Sequence, residues 1–245
     1  MKYHISFDVD LKRNPYKGTY ISLEGIDGSG KTTQVKKLAT YFKKQGREVV
    51  VTREPRKTEG IIGKFVQQIL LGNVKIPSKA FQYLFTADRV MHYEELIIPS
   101  LEAGKVVISD RCFWSAIPYG ILDRKGPINE KTKAYLLVSQ SILSMYHQFI
   151  VPDYTFYLHI KAKDAMERMP TKEEGKEIYE TREQLDSLYR GYNFLLQEFP
   201  KEFIVVDAKQ DVKQVTHEII KEIKMMSSSG LTRGIYTAGF PPTRE

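Results

Sequence analysis

The sequence predicts an α/β fold in a single domain built on a parallel sheet. Short apolar, β-branched runs alternate with segments of helical periodicity from about residue 19 to residue 224. No Pro/Gly/Ser-rich linker or internal repeat divides that stretch. A glycine-rich segment stands between the first apolar run and the first helical stripe. Alternation of this kind puts helices in the crossovers between parallel strands, and 245 residues with 42% hydrophobic side chains suit one sizeable core.

Residues 1–18 precede the pattern as an extension, and the alternation at Ile5, Phe7 and Val9 predicts an edge strand or a frayed end. The first strand is expected at 20–24, mostly apolar as a buried parallel strand should be. A helix follows, with Val35, Leu38, Ala39 and Phe42 on one face at i, i+3, i+4 and i+7. Further strands are expected at 48–52, 105–109, 154–160 and 203–206, and a last helix carries the stripe Val212, Val215, Ile219 and Ile223. The domain then covers 19–226. Residues 227–245, with Ser227-Ser228-Ser229-Gly230 and Pro241-Pro242, predict a mobile tail or a docking peptide.

Composition excludes several functions. The longest apolar runs are far too short to cross a bilayer, and no signal-peptide core opens the chain, so a soluble, cytoplasmic protein without a membrane partner is expected. One cysteine, Cys112, allows neither an intrachain disulfide framework nor a thiolate zinc site. A formal charge of +7 suits a nucleic-acid binder or an enzyme gripping nucleotide phosphates. The lysines are interleaved with glutamates on helix faces, as on a solvated surface, and a nucleic-acid partner is not expected.

The chemistry starts at Gly25-Ile26-Asp27-Gly28-Ser29-Gly30-Lys31-Thr32, which matches G-x-x-x-x-G-K-[ST] between a predicted strand and a predicted helix. Glycines let the backbone wrap around phosphate oxygens, and the helix that follows aims unpaired N–H groups at them. Gly25, Gly28, Ser29, Gly30, Lys31, Thr32 and Thr33 are therefore the candidate ATP-binding residues. Lys31 brings a positive charge to the β and γ phosphates, and Thr32 offers a hydroxyl to Mg²⁺. Transfer through a loose transition state needs positioning and cations rather than a protein nucleophile. Further charges stand at strand ends: Arg53 with Glu54-Pro55, and Asp110-Arg111. Ligands bind beyond the carboxyl ends of such strands, where a guanidinium suits phosphate oxygens and Asp110 joins Thr32 as a candidate metal ligand.

Four motifs in order and spacing resemble the thymidylate kinases: Ile26 to Thr33, Thr52-Arg53-Glu54-Pro55, Leu84-Phe85-Thr86-Ala87-Asp88-Arg89, and Ile108-Ser109-Asp110-Arg111. The resemblance runs from about residue 20 to residue 223. It implies a P-loop NTPase fold with a five-stranded parallel sheet flanked by helices and a lid, a homodimer, and the reaction of ATP with dTMP to give ADP and dTDP with Mg²⁺.

Carried over position by position, the resemblance implies that Phe85 stacks on the thymine and Arg89 donates to its carbonyl oxygen. Arg111, with Lys57 or Arg56 near the Arg53 turn, would hold the acceptor phosphate, and Asp27 would meet the sugar 3′-hydroxyl. Ser115 and Tyr119 would line the pocket below sugar and base. The lid is expected at about 168–180, with Arg168 the leading closing cation, assisted by Lys172 or Lys176. Lys31, Arg111 and Arg168 are thus the candidate catalytic residues. The turn Asp207-Ala208-Lys209 resembles the adenine-side loop.

The chain departs from the family pattern at Cys112, Arg56-Lys57 and Ala116, all expected to border the acceptor pocket, and at Ile178 in the lid. Two other functions fit the residues: a kinase for another nucleoside or deoxynucleoside monophosphate, and a nucleotide-binding regulator that no longer turns over.

Overall fold

Five parallel strands form one sheet in the order β2-β3-β1-β4-β5: β1 Thr19–Glu24, β2 Val49–Arg53, β3 Val106–Asp110, β4 Tyr154–His159 and β5 Ile204–Asp207. Each lies within a residue of its expected bounds, because a strand buried on both faces is a continuous apolar run with polar ends. The structure is a computed structural model and describes residues 10–123, 131–169 and 178–228. Among these, the helices are α1 Lys31–Lys44, α2 Ile61–Leu70, α3 Ser78–His92, α4 Ile98–Glu102, α5 Ala116–Asp123, α6 Lys131–Tyr146, α7 Ala162–Glu167, α8 Arg182–Glu198 and α9 Val212–Ser228. A π-helical turn at Tyr93–Ile97 joins α3 to α4.

β1 lies at the centre, paired with β3 on one side and β4 on the other. The chain leaves it for β2 on one side and later crosses to β4 and β5 on the other. That is a topological switch point, where a crevice opens beyond the strand ends. Side chains alternate along β1. Tyr20, Ser22 and Glu24 share the face on which Tyr20 meets Tyr93 and Glu24 meets Ser115 and Tyr192. α1 packs against β1, β2 and β3, and against α9. Thr52, Ser109, Ser22 and Thr155 stand in register across four strands, a row of hydroxyls inside an otherwise apolar sheet.

Residues 10–18 are tied down rather than frayed. Lys12 bridges to Ile150, and the Val151 N–H donates to the Lys12 carbonyl at 2.9 Å. The Arg13 guanidinium donates to the Glu202 carboxylate at 2.7 Å. Asp153 accepts from Asn14 at 2.7 Å and from the Tyr20 N–H at 2.8 Å, which fixes where β1 begins. Ile5, Phe7 and Val9 lie outside the described residues. At the other end α9 runs through Ser228, two residues into the segment assigned to the tail, and 229–245 lie outside the described residues.

Candidate active site

The loop from β1 to α1 takes backbone conformations that require its glycines. Gly25, Gly28 and Gly30 have φ of 144°, 80° and 96°, where an L side chain is strained. A Cβ on Gly28 would lie 2.2 Å from the Ala165 carbonyl oxygen, so the loop rests directly on α7. Lys31 starts α1 and folds back over the loop, donating to the Ile26 carbonyl at 2.9 Å and lying 3.5 Å from Asp27 Oδ1. Burial and the neighbouring Arg111 charge pull the Lys31 ammonium pKa below its ordinary value, against Asp27 and Asp110. Burial alone would raise the Asp27 carboxyl, but Arg111 and Lys31 hold it well below the usual carboxylate range.

Thr32 Oγ1 donates to Asp110 Oδ2 at 2.7 Å, so the two candidate metal ligands meet at the mouth of the loop. Among the described residues no group of three His, Cys, Asp or Glu side chains could hold a metal by itself. A hydroxyl and a carboxylate, with the rest of the shell left to phosphate and water, suit a hard cation that dehydrates reluctantly, as Mg²⁺ does.

Two cavities open at the carboxyl ends of the strands. One is walled by Gly28, Ser29, Gly30, Lys31, Thr32 and Thr33 of the loop, with Asp110 and Arg168. Gly25 stands behind it, its missing Cβ making room for Ser29 Oγ and the Leu158 carbonyl. The other is walled by Phe85, Arg89, Lys57, Ser115 and Tyr119. Asp27, Arg53 and Arg111 line both.

Arg111 follows β3 with φ 77°, a left-handed conformation that a side chain of this size adopts only when its surroundings impose it. Its N–H donates to the Leu23 carbonyl at 2.9 Å, and Ser109 Oγ donates to its carbonyl at 2.6 Å. The guanidinium donates through Nη2 to Asp27 Oδ1 at 2.7 Å and through Nη1 to Gly25 O at 2.9 Å, and it lies over the Tyr119 ring at 5.2 Å. Arg89 projects from α3 four residues beyond Phe85, one turn along the same face. Its Nε donates to Glu54 Oε2 at 2.6 Å and its guanidinium lies 4.7 Å from the Tyr146 ring centroid, while Nη1 is buried without a partner.

The structure separates Arg56 from Lys57. Lys57 lines the cavity, whereas Arg56 turns into the protein, its Nε 3.3 Å from Asp88 and its Nη1 2.7 Å from Glu95. Of the residues expected to border the acceptor pocket, Ala116 and Lys57 line it and Cys112 and Arg56 do not. Cys112 is fully buried, its N–H donating to Glu24 at 2.8 Å, because it follows Arg111 into the turn beneath the site.

Arg168 lines the phosphate cavity, but its guanidinium donates to the carbonyls of Ala208 at 2.8 Å and Lys209 at 3.3 Å, on the turn expected to lie beside adenine. Lys172 and Lys176 lie outside the described residues.

The sequence reading missed Glu24, Tyr192 and Tyr179. Glu24 ends β1 as a fully buried acceptor of three hydrogen bonds, from Cys112, Ser115 and Tyr192. Tyr179, one residue past Ile178, closes the acceptor cavity. Its hydroxyl donates to Asp123 at 2.7 Å and its ring meets Tyr119 edge-on. Burial pushes the Asp123 carboxyl up to about 6. The sequence marks Glu24 only as a carboxylate at the end of an apolar run, directly before the glycine loop, which reads as the end of a strand.

A family model for thymidylate kinase matches residues 23–219. The chain belongs to the thymidylate kinase family. It is similar to a probable thymidylate kinase of Thermococcus kodakarensis, 35% identical over 215 residues that cover 84% of this chain and 98% of the relative. It is similar also to the thymidylate kinases of Thermoanaerobacter sp. (37% over 209 residues, 85% and 98%) and Bifidobacterium longum subsp. infantis (34% over 239 residues, 91% and 98%). As a thymidylate kinase family member it is a phosphotransferase that phosphorylates dTMP, and the reading of a non-catalytic regulator is not favoured.

Proposed function

We propose that the two cavities receive the two substrates of this thymidylate kinase reaction, with the phosphoryl group passing at the wall they share. The shared lining by Asp27, Arg53 and Arg111 carries this reading. The ATP phosphates lie in the cradle of Gly25, Gly28, Ser29, Gly30 and Thr33, with Lys31 on the β and γ oxygens. Thr32 and Asp110 hold Mg²⁺, which when bound neutralises charge on the phosphate oxygens. dTMP enters the second cavity with its base on Phe85, its carbonyl edge toward Arg89 and its sugar near Asp27, Ser115 and Tyr119. Its phosphate meets Arg111, Arg53 and Lys57. A guanidinium with a fixed plane suits two phosphate oxygens at once, which an ammonium does not. Arg168 steadies the turn on the adenine side. In a coupled ADP-release assay over eight nucleoside and deoxynucleoside monophosphates, dTMP is expected to give the highest kcat/KM, and Arg111→Lys to lower it by on the order of 10²-fold. Another monophosphate in first place, or an unimpaired Arg111→Lys enzyme, would overturn the assignment.

Two coarser features belong to the same reading. The enzyme works in the cytoplasm; among the described residues no helix is long and apolar enough to cross a membrane. It forms a homodimer through α2, α3 and α6, which expose Ile61 and Phe65, Tyr83 and Val90, and Leu137. α3 packs beside both α2 and α6, and an apolar face of this kind marks an association site. Sedimentation velocity should show a particle of twice the 28.3 kDa chain mass, and Tyr83→Lys should shift it toward one chain. A wild-type monomer would end the dimer proposal.

A further inference from the structure

We infer that Glu24 is a positioning residue for phosphoryl transfer, acting on Arg111 through the hydroxyls of Ser115 and Tyr192. This rests on the role of Arg111 proposed above. Glu24 is fully buried at the end of β1, and it touches neither cavity. Its Oε2 accepts from Ser115 Oγ at 2.6 Å and from Tyr192 OH at 2.8 Å, while Oε1 accepts the Cys112 N–H at 2.8 Å. The same two hydroxyl oxygens lie 3.3 Å and 3.0 Å from Arg111 Nη1.

Each hydroxyl has one proton to give, and a guanidinium can only donate. With both protons committed to the carboxylate, the hydroxyls turn lone pairs toward Arg111, and the chain runs in one sense from guanidinium to hydroxyl to Glu24. Without the carboxylate the hydroxyls, 3.0 Å apart, can donate to one another. One lone pair facing Arg111 is then lost, or a proton faces a cation. Arg111 Nη1 is thereby held by Ser115, Tyr192 and Gly25 O, and Nη2 is anchored by Asp27. Nε and one Nη2 proton are left for phosphate. Glu24 also places a buried negative charge one hydroxyl away from the buried guanidinium, which offsets its desolvation.

A cluster of this kind could instead do no more than staple α8 and the β3–α5 turn to the sheet, and kinetics separate the two roles. Glu24→Gln keeps shape and volume but replaces one acceptor oxygen by a donor; Tyr192→Phe removes a single oxygen. Each is expected to lower kcat about tenfold or more while KM for ATP stays within about twofold, as a defect at Arg111 rather than in the ATP cradle requires. Because both act along one chain of hydrogen bonds, the double variant should be no slower than about twofold below the worse single. Thermal melting of each variant reads the stapling role separately. If Glu24→Gln does not fold, Tyr192→Phe combined with Ser115→Ala makes the same test. Wild-type kcat in Tyr192→Phe and Glu24→Gln, whatever their melting temperatures, overturns the inference, as does a multiplicative double variant. An unimpaired Arg111→Lys enzyme would instead overturn the reading on which it stands.

Discussion

Lys31→Ala is expected to lower kcat by at least about 10²-fold, roughly 3 kcal/mol of transition-state stabilisation, and to leave the fold intact. The ammonium lies inside the loop, 2.9 Å from the Ile26 carbonyl, and in the proposed arrangement it meets the charge that spreads over the transferred group. Dissociative transfer leaves the protein little to do except place cations there, and the buried Arg111 is already committed to Asp27 and the Gly25 carbonyl. The fold should survive because α1 is held by Val35, Leu38, Ala39 and Phe42 on its buried face. Circular dichroism and steady-state kinetics on the same preparation make the check. A variant with near wild-type turnover and an unchanged spectrum would remove the loop from the mechanism.

dTMP and dUMP are expected to exceed dCMP by at least about 10²-fold in kcat/KM. Arg89 is fixed by Glu54, which is braced in turn by His92 Nδ1 at 3.3 Å, and His92 Nε2 lies 2.6 Å from Thr52 Oγ1. Its buried, unpartnered Nη1 can only donate. A carbonyl at the fourth position of the pyrimidine satisfies it. Cytosine brings an amino donor there and leaves both groups unpaired, a mismatch that in a buried site costs several powers of ten in specificity. The 5-methyl group separating dTMP from dUMP adds apolar contact worth roughly 1 to 3 kcal/mol. Of the departures at Cys112 and Ala116, only Ala116 lines the cavity and bears on that margin.

Arg89→Ala should collapse the dTMP to dCMP ratio. Because it strands the buried Glu54 carboxylate, at a cost of about 3 to 5 kcal/mol in stability, the ratio is measured within each variant rather than compared as absolute rates. Equal use of dCMP and dTMP by the wild type would refute the base pocket while leaving the kinase assignment standing.

Local features were legible in the sequence and distant partners were not. The glycine loop, the strand ends and the Phe85/Arg89 pair each follow from spacing within a few residues, and these carried both the fold and the cavity walls. Glu24 was invisible as a functional group because its partners stand 88, 91 and 168 positions away. Taken alone, a glutamate at the end of an apolar run reads only as the place where a strand stops. Arg56 and Lys57 are adjacent cations in a turn, and what separates them is where α3 puts Asp88 and, one π-helical turn on, Glu95. The same holds for Arg168, whose partners on the 207–209 turn come from a crossover that periodicity does not locate. The extension before β1 was open between strand and frayed end because one bridge and a few side-chain bonds leave no periodic signature.

The row of hydroxyls at Thr52, Ser109, Ser22 and Thr155 bears on how the chain avoids misfolding. Apolar parallel strands are nearly interchangeable under a one-step shift, since either alignment buries valines and isoleucines. Here a strand docked one residue out of step would turn its hydroxyl to the opposite face and break the row. Shifting β3 would also take the Arg111 N–H from the Leu23 carbonyl, and shifting β2 would take Thr52 from His92. Small polar groups at one level of the sheet thus act as a checksum on assembly, penalising errors that hydrophobic burial alone would pass.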